Sequence, residues 1–134
     1  MRNIKVVMDI NVKVTDEDIE DIIVTAIEGG IGYWCCLDNT GDEYENAPED
    51  EPVSITATKI LLNGGKLKLI DEFDDDKRYE MSLDDLIKGI EHWKKYGFDH
   101  YNAITADGID CGNIDAECAD AIIQCALFDR VQYC

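Results

Sequence analysis

The chain opens on an alternation. Ile4, Val6, Met8, Ile10 and Val12 fall on one face and Lys5, Asp9 and Lys13 on the other. A period of two over residues 4–14 predicts a half-buried β-strand. The period then changes. Ile19, Ile22, Ile23, Ala26 and Ile27 form one stripe at helical spacing, which predicts an amphipathic helix with one face in the core. Thr15 precedes it as an N-cap, and Asp16, Glu17 and Asp18 fill the first turn, where the positive helix end favours carboxylates. Gly29 and Gly30 stop it.

Residues 31–37, a short apolar and aromatic run, predict a second strand, and 38–52 a polar loop with turn residues at Asn39, Thr40 and Gly41. The β-branched run 53–62 predicts a strand, Asn63-Gly64-Gly65 a hairpin turn, and 66–73 its partner. Asp74, Asp75 and Asp76 make a further turn before a short strand at 77–81. Ser82 with Asp85 forms a capping pair, and Leu83, Leu86, Ile87, Ile90 and either Trp93 or Lys94 set the stripe of a second helix that Gly97 ends. Residues 98–113 are irregular, with turn signals at Asp107-Gly108 and Cys111-Gly112. Asp115 caps a third helix reaching Phe128, with Cys118, Ala121, Ile122, Cys125 and Ala126 facing inward, and 131–133 read as a last edge strand. The expected fold is α+β, an antiparallel sheet of four to five strands with three helices packed on it, in a single domain spanning 1–134. An unpaired edge near the C-terminus would permit a homodimer.

Charge changes the picture. Thirty Asp and Glu face 12 Lys and Arg, giving a formal net charge of -18. Direct contact with a nucleic-acid backbone or an anionic membrane surface is disfavoured by like-charge repulsion. The charge is also segregated. No Lys or Arg stands between Lys13 and Lys59, nor between Lys95 and Arg130. A domain of this length has a diameter of roughly 36 Å, and about 30 Å of DNA duplex carries roughly 18 phosphate charges, so the protein matches the charge of a duplex it would displace. The acids then read as a partner-binding surface for the basic groove of a nucleic-acid-binding protein: Asp42, Glu43, Glu45, Glu49, Asp50 and Glu51 in the loop, Asp16, Glu17, Glu20 and Asp21 on the first helix, and Asp74, Asp75 and Asp76 as a third patch. The plainer alternative is a solvated face that keeps the protein soluble. Tyr44, inside the acidic loop, reads either as an anchor that stacks on a partner's arginine or as a loop tyrosine tucked onto the core.

Candidate chemistry is sparse. The six cysteines contain no Cys-x2-Cys pair, and without a secretory signal reduced thiols in a cytosol are expected. Cys118 and Cys125 fit the core stripe of the third helix. Asp38-x-Thr40-x-Asp42 and residues 107–115 are rich in oxygen ligands but lack the calcium-loop pattern, Glu43 standing where glycine is required. A small enzyme or metal-binding protein would have to draw on Cys111, Cys118, His92 or His100. Gly29-Gly30-x-Gly32 follows a helix instead of opening one, so it is not a phosphate cradle.

Two segments carry a resemblance: Glu28-Gly29-Gly30-Ile31-Gly32-Tyr33-Trp34-Cys35, and Ile114-Asp115-Ala116 leading into Ala119-Asp120-Ala121-Ile122-Ile123-Gln124-Cys125-Ala126-Leu127-Phe128. Together, over about a quarter of the chain, they resemble a family of small acidic proteins encoded on phages and other mobile elements of Firmicutes. The Cys36 doublet and the acidic stretch from Glu43 to Glu51 depart from that pattern. Small acidic proteins of mobile elements include inhibitors of CRISPR nucleases and restriction enzymes, several of them nucleic-acid mimics. By that analogy the expectation is a cytoplasmic, non-enzymatic inhibitor of a bacterial defence nuclease, with no cofactor, no metal and a protein partner. The alternative is a non-catalytic accessory protein with a non-defence partner.

Overall fold

In the computed structural model the chain is described at residues 2–7 and 10–134, the side chains of Val6, Val7 and Ile10 excepted. Met8 and Asp9 of the opening alternation lie outside the described residues, as do the side chains of Val6 and Ile10. The single strand expected there is a hairpin: β1 (Arg2–Val7) pairs antiparallel with β2 (Ile10–Val14), Ile4 opposite Val12 and Arg2 opposite Val14. Ile4, Val12 and Val14 are buried while Lys5, Asn11 and Lys13 are exposed. Ile4 on β1 and Val12 and Val14 on β2 are all even positions, so one alternation covers both strands and hides the reversal.

Helix α1 (Asp16–Thr25) starts as expected: Thr15 and Asp18 exchange side-chain and backbone hydrogen bonds in a capping box. The two glycines do not stop it cleanly. The helix widens into a π turn, Ala26–Gly30, closed by the Ile31 N–H donating to the Ala26 carbonyl at 2.9 Å. A Cβ on Gly30 would lie 2.7 Å from the Ala116 carbonyl oxygen, so only glycine lets this turn press against the start of the last helix.

Strand β3 is shorter than expected, Cys35–Leu37, and is followed by a one-turn helix α2 (Asp42–Glu45) inside the acidic loop. The strand expected at 53–62 is a helix, α3 (Val53–Leu62). Its Val, Ile and Thr content favours a strand, but Ser54, Ala57, Thr58 and Leu61 fall on one buried helical face, and packing overrides propensity. Thr58 Oγ1 donates to the Ser54 carbonyl at 2.9 Å, which satisfies a β-branched hydroxyl within a helix. Asn63-Gly64-Gly65 is consequently a helix end and not a hairpin turn. Gly64, at φ +94°, donates to Leu61 O and Gly65 to Ile60 O, the Schellman pattern.

Strands β4 (Leu67–Asp71) and β5 (Arg78–Met81) pair antiparallel, and β3 joins on the other edge of β4. Helix α4 (Leu83–Lys95) carries the expected Ser82–Asp85 capping box. A two-stranded ribbon, β6 (Ile104–Thr105) with β7 (Gly108–Ile109), interrupts the irregular stretch. Helix α5 (Ala116–Phe128) is capped by Asp115, which accepts from Cys118 N. The fold is α+β, but among the described residues the strands form three small antiparallel sheets, none wider than three strands, instead of one sheet of four to five. Among the described residues five α-helices replace the expected three, because the strand at 53–62 became one and the acidic loop made another. Residues 131–133 are not a strand, which removes the edge that suggested a dimer.

α5 is the centre of the core. Cys118, Ala119, Ile122, Ile123 and Cys125 are buried on it, between α4 on one side and the π turn and α1 on the other. Gly89 of α4 meets Ala126 of α5 so closely that an added Cβ would lie 2.6 Å from the Ala126 Cβ. Trp34 and Trp93 are both fully buried. No helix among the described residues is long and apolar enough to cross a membrane.

Candidate functional site

Of the proposed partner-binding acids, α1 carries one set and the acidic loop the other, and both α1 and α2 pack on α3. Glu17, Asp21, Asp42, Glu43, Glu45, Glu49 and Asp50 are exposed, and none has a basic partner among the described residues. Glu20 is half-buried. Three expected contributors are less available. Asp16 is paired with Arg2 at 2.6 Å. Glu51 accepts from both Lys59 and Thr56, and these bonds hold its carboxyl below the usual carboxylate range. Tyr44 is half-buried and packs against the core, and burial followed by the charges of Glu43 and Asp38 pushes its phenol up. Glu43 also borders Lys66 and Lys68 in a shallow depression, so the loop is partly neutralised along that edge.

Asp74, Asp75 and Asp76 are held elsewhere. Asp38 N bonds Lys68 O near the start of β4, whereas the triplet follows the end of that strand. Asp71 builds that turn. It is buried and accepts from Tyr79 Oη at 2.6 Å, Phe73 N at 2.8 Å and Asp74 N at 3.1 Å, which together keep its carboxyl below the ordinary range. The turn presents Phe73, 75% exposed, between Glu72 and the three aspartates.

The cysteines are all free. Burial, then the nearby Asp18 and Asp21 charges, push the Cys111 thiol up to about 12. Burial and Asp115 take Cys118 to about 11, burial and Asp129 do the same for Cys125, and burial raises Cys35 further still. A nucleophile or metal ligand needs the thiolate, and these surroundings oppose it. His92 lies beside Tyr96, its Nδ1 3.3 Å from the phenol oxygen, and Asp129 is 4.0 Å from its Nε2.

The most organised polar group lies on α5. Asp120, 6% exposed, accepts the Tyr33 hydroxyl at 2.6 Å on one oxygen, and on the other the Trp34 indole N–H at 2.8 Å and Gln124 Nε2 at 2.9 Å. Burial, then this carboxylate, drives the Tyr33 phenol far above its ordinary range. Gln124, one turn on, stands in for a β-strand. Its Oε1 accepts from Gln132 N and Tyr133 N, both at 2.7 Å, and its Nε2 donates to Tyr133 O at 3.1 Å. The C-terminal residues are thereby strapped across α5, and the Tyr133 ring stacks on Trp34 with centroids 5.0 Å apart. Tyr33, Trp34, Asp120 and Gln124 stand in the two segments that carry the family resemblance, but nothing in the sequence joined them into a network. The available signal was a carboxylate and an amide four residues apart inside an apolar helix.

This network walls a cleft of about 790 Å³. The cleft lies between the π turn, the first half of α5, the chain after α4 and the C-terminal strap. Tyr33, Phe98, His100, Tyr101 and Tyr133 line it, with Asp115 and Glu117 and without any Lys or Arg. Trp93 lies in its wall, and its indole nitrogen is the one buried side-chain donor or acceptor among the described residues without a partner. Such an orphan costs about 1–3 kcal/mol. The loop that forms one side is fixed by Asp99, whose side chain is 2% exposed. Burial works against its charge, but bonds from Ile104 N, Lys94 and Ala103 N win and hold its carboxyl below the usual range. Among the described residues no three or more His, Cys, Asp or Glu side chains are grouped as a metal site.

The fold is α+β, with exposed acids on α1 and along the loop that holds α2, and with an aromatic cleft beside α5. Comparison with protein-family models, with curated proteins and with solved structures finds no match for this chain.

Proposed function

We infer that the protein is a non-catalytic binding protein whose anionic face occupies the cationic groove of a nucleic-acid-binding protein, a bacterial defence nuclease being the class of partner. The observation that carries the reading is the packing of α1 and α2 on the same helix, α3, with unpaired carboxylates on both. Two acidic runs distant in sequence thus flank one element. An extended field of one sign accelerates encounter with an oppositely charged groove and excludes nucleic acid from it.

The test is displacement. A fluorescent duplex is bound to a purified CRISPR effector or restriction enzyme, and its release by this protein is followed by anisotropy at low and moderate salt. Release should weaken as salt rises, because the contacts are between charges. Charge reversal at Glu17 and Asp21, or at Asp42, Glu43 and Glu45, should suppress it, one set more than the other. Release that survives neutralisation of these acids together with Asp74, Asp75 and Asp76 would refute mimicry. Failure to release duplex from any groove-bearing enzyme would return the acidic face to solubility.

A further inference from the structure

The cleft beside α5 has a chemistry of its own. Its walls are aromatic, and two of them face solvent: Tyr33 is 44% and Tyr101 60% exposed. Its rim is anionic. Glu117 is exposed and has no hydrogen bond or ion pair among the described residues, while Asp115, also exposed, accepts from Cys118 N at 2.8 Å and from the Cys118 thiol. Nothing cationic lines it. The Trp93 indole N–H in its wall lacks an acceptor.

We propose that this cleft is a binding site for a planar organic cation, a guanidinium above all. Ring faces attract cations through their quadrupole, and carboxylates at the rim supply the counter-charge. A guanidinium suits such walls better than an ammonium, because it is flat, weakly hydrated, stacks on rings and bonds a carboxylate through two parallel N–H groups. Asp120 is not the counter-ion. Its oxygens are already taken by three donors, and it acts by holding Tyr33 in the wall. Glu117 is the counter-ion, with Asp115 beside it. The cleft, at about 790 Å³, is within the size range of small-molecule sites and holds more than one guanidinium group. An arginine carried on a peptide fills it better than a bare guanidinium group does. The site is distinct from the acidic face on α1 and α2, and neither assignment depends on the other.

The test titrates the full-length chain with agmatine, with a capped Gly-Arg-Gly peptide and with its Gly-Lys-Gly counterpart, by calorimetry at about 150 mM salt, where distant charges are screened. Saturable binding is expected, with arginine preferred over lysine by about fivefold and a similar loss for Glu117→Gln and for Tyr101→Ala. Both residues are exposed, so circular dichroism should show an unchanged fold, and Tyr101→Phe should restore binding. Glu17→Gln with Asp21→Gln should leave the affinity unchanged. Tighter binding of the arginine peptide than of agmatine identifies a partner chain as the source of the cation, and the reverse order identifies a free small molecule. Absence of saturation, or equal affinities for lysine and arginine that follow the α1 substitutions and ignore Glu117, overturns the site.

Discussion

Removing the Asp120 carboxylate is the sharpest test of how the centre of the fold is held. In Asp120→Ala, Tyr33 can redirect its hydroxyl to Tyr133 O, 3.2 Å away, and Gln124 Nε2 keeps Tyr133 O at 3.1 Å. Trp34 has no such alternative. Its ring is fully buried, and Asp120 is its acceptor at 2.8 Å. An orphaned buried donor costs about 1–3 kcal/mol, and the lost charge-assisted bonds add about 1.5–3 kcal/mol before the remaining groups relax. A loss of about 3 kcal/mol is expected for Asp120→Ala. Asp120→Asn keeps an acceptor for Trp34 and should lose only about 1–2 kcal/mol. Deleting a carboxylate from a chain of net charge -18 relieves self-repulsion, which works against the predicted loss and makes it a demanding test. Urea titration followed by tryptophan fluorescence measures both variants, with an unchanged m-value as the check on two-state behaviour. In a thermal scan the alanine variant should melt about 10 °C lower. A loss below about 0.5 kcal/mol for alanine, or equal losses for alanine and asparagine, would refute the account.

Asp99 gives a pH signature. Its carboxyl is held below its unfolded value, so its stabilisation is present above about pH 4 and disappears as pH falls through the folded value; Asp99→Asn should therefore destabilise at pH 7 and converge with the wild type in acid denaturation. Gly89→Ala should cost about 1–3 kcal/mol despite alanine's better helix propensity, because the new methyl meets the Ala126 backbone; a neutral result by urea titration would mean that α4 and α5 can separate freely. Under brief alkylation at pH 8, mass spectrometry should find Cys36 and Cys134 modified first, with Cys35, Cys111, Cys118 and Cys125 following only in denaturant; Cys111 reacting as fast as Cys36 would contradict its raised thiol.

What the sequence made legible was the part governed by local signals. Thr15 with Asp18, Ser82 with Asp85, and Asp115 each announce a helix start because a cap is satisfied within three residues. Position 53–62 misleads for the converse reason: its β-branched residues are helical only because one face packs against α1, a contact no local pattern contains. That single misreading turned the Schellman end at Gly64 and Gly65 into a hairpin and inflated the expected sheet. The acids of α1 and the loop were visible in composition, but their arrangement about α3 was not. Glu51 lost its freedom to Lys59 and Thr56, partners that only the helical conformation of α3 brings within reach. The cleft was invisible altogether, since its lining comes from the π turn, α5, the chain after α4 and the C-terminal strap.

The two surfaces respond differently to salt, and this separates binding from folding. Self-repulsion among unpaired carboxylates destabilises the compact state, so added salt should stabilise the fold by screening it. The same screening weakens attraction between the acidic face and a cationic groove. If displacement of duplex fell with salt because the protein unfolded, stability would have to fall too, yet the charge balance demands the opposite sign. The cleft adds a third behaviour. A guanidinium stacked on Tyr33 and Tyr101 depends on ring contact as well as on Glu117, so its salt sensitivity should be shallower than that of the face. Three slopes measured on one protein, rising for stability, steep and falling for displacement, shallow and falling for the cleft, would distinguish a binding face from a merely solvated one.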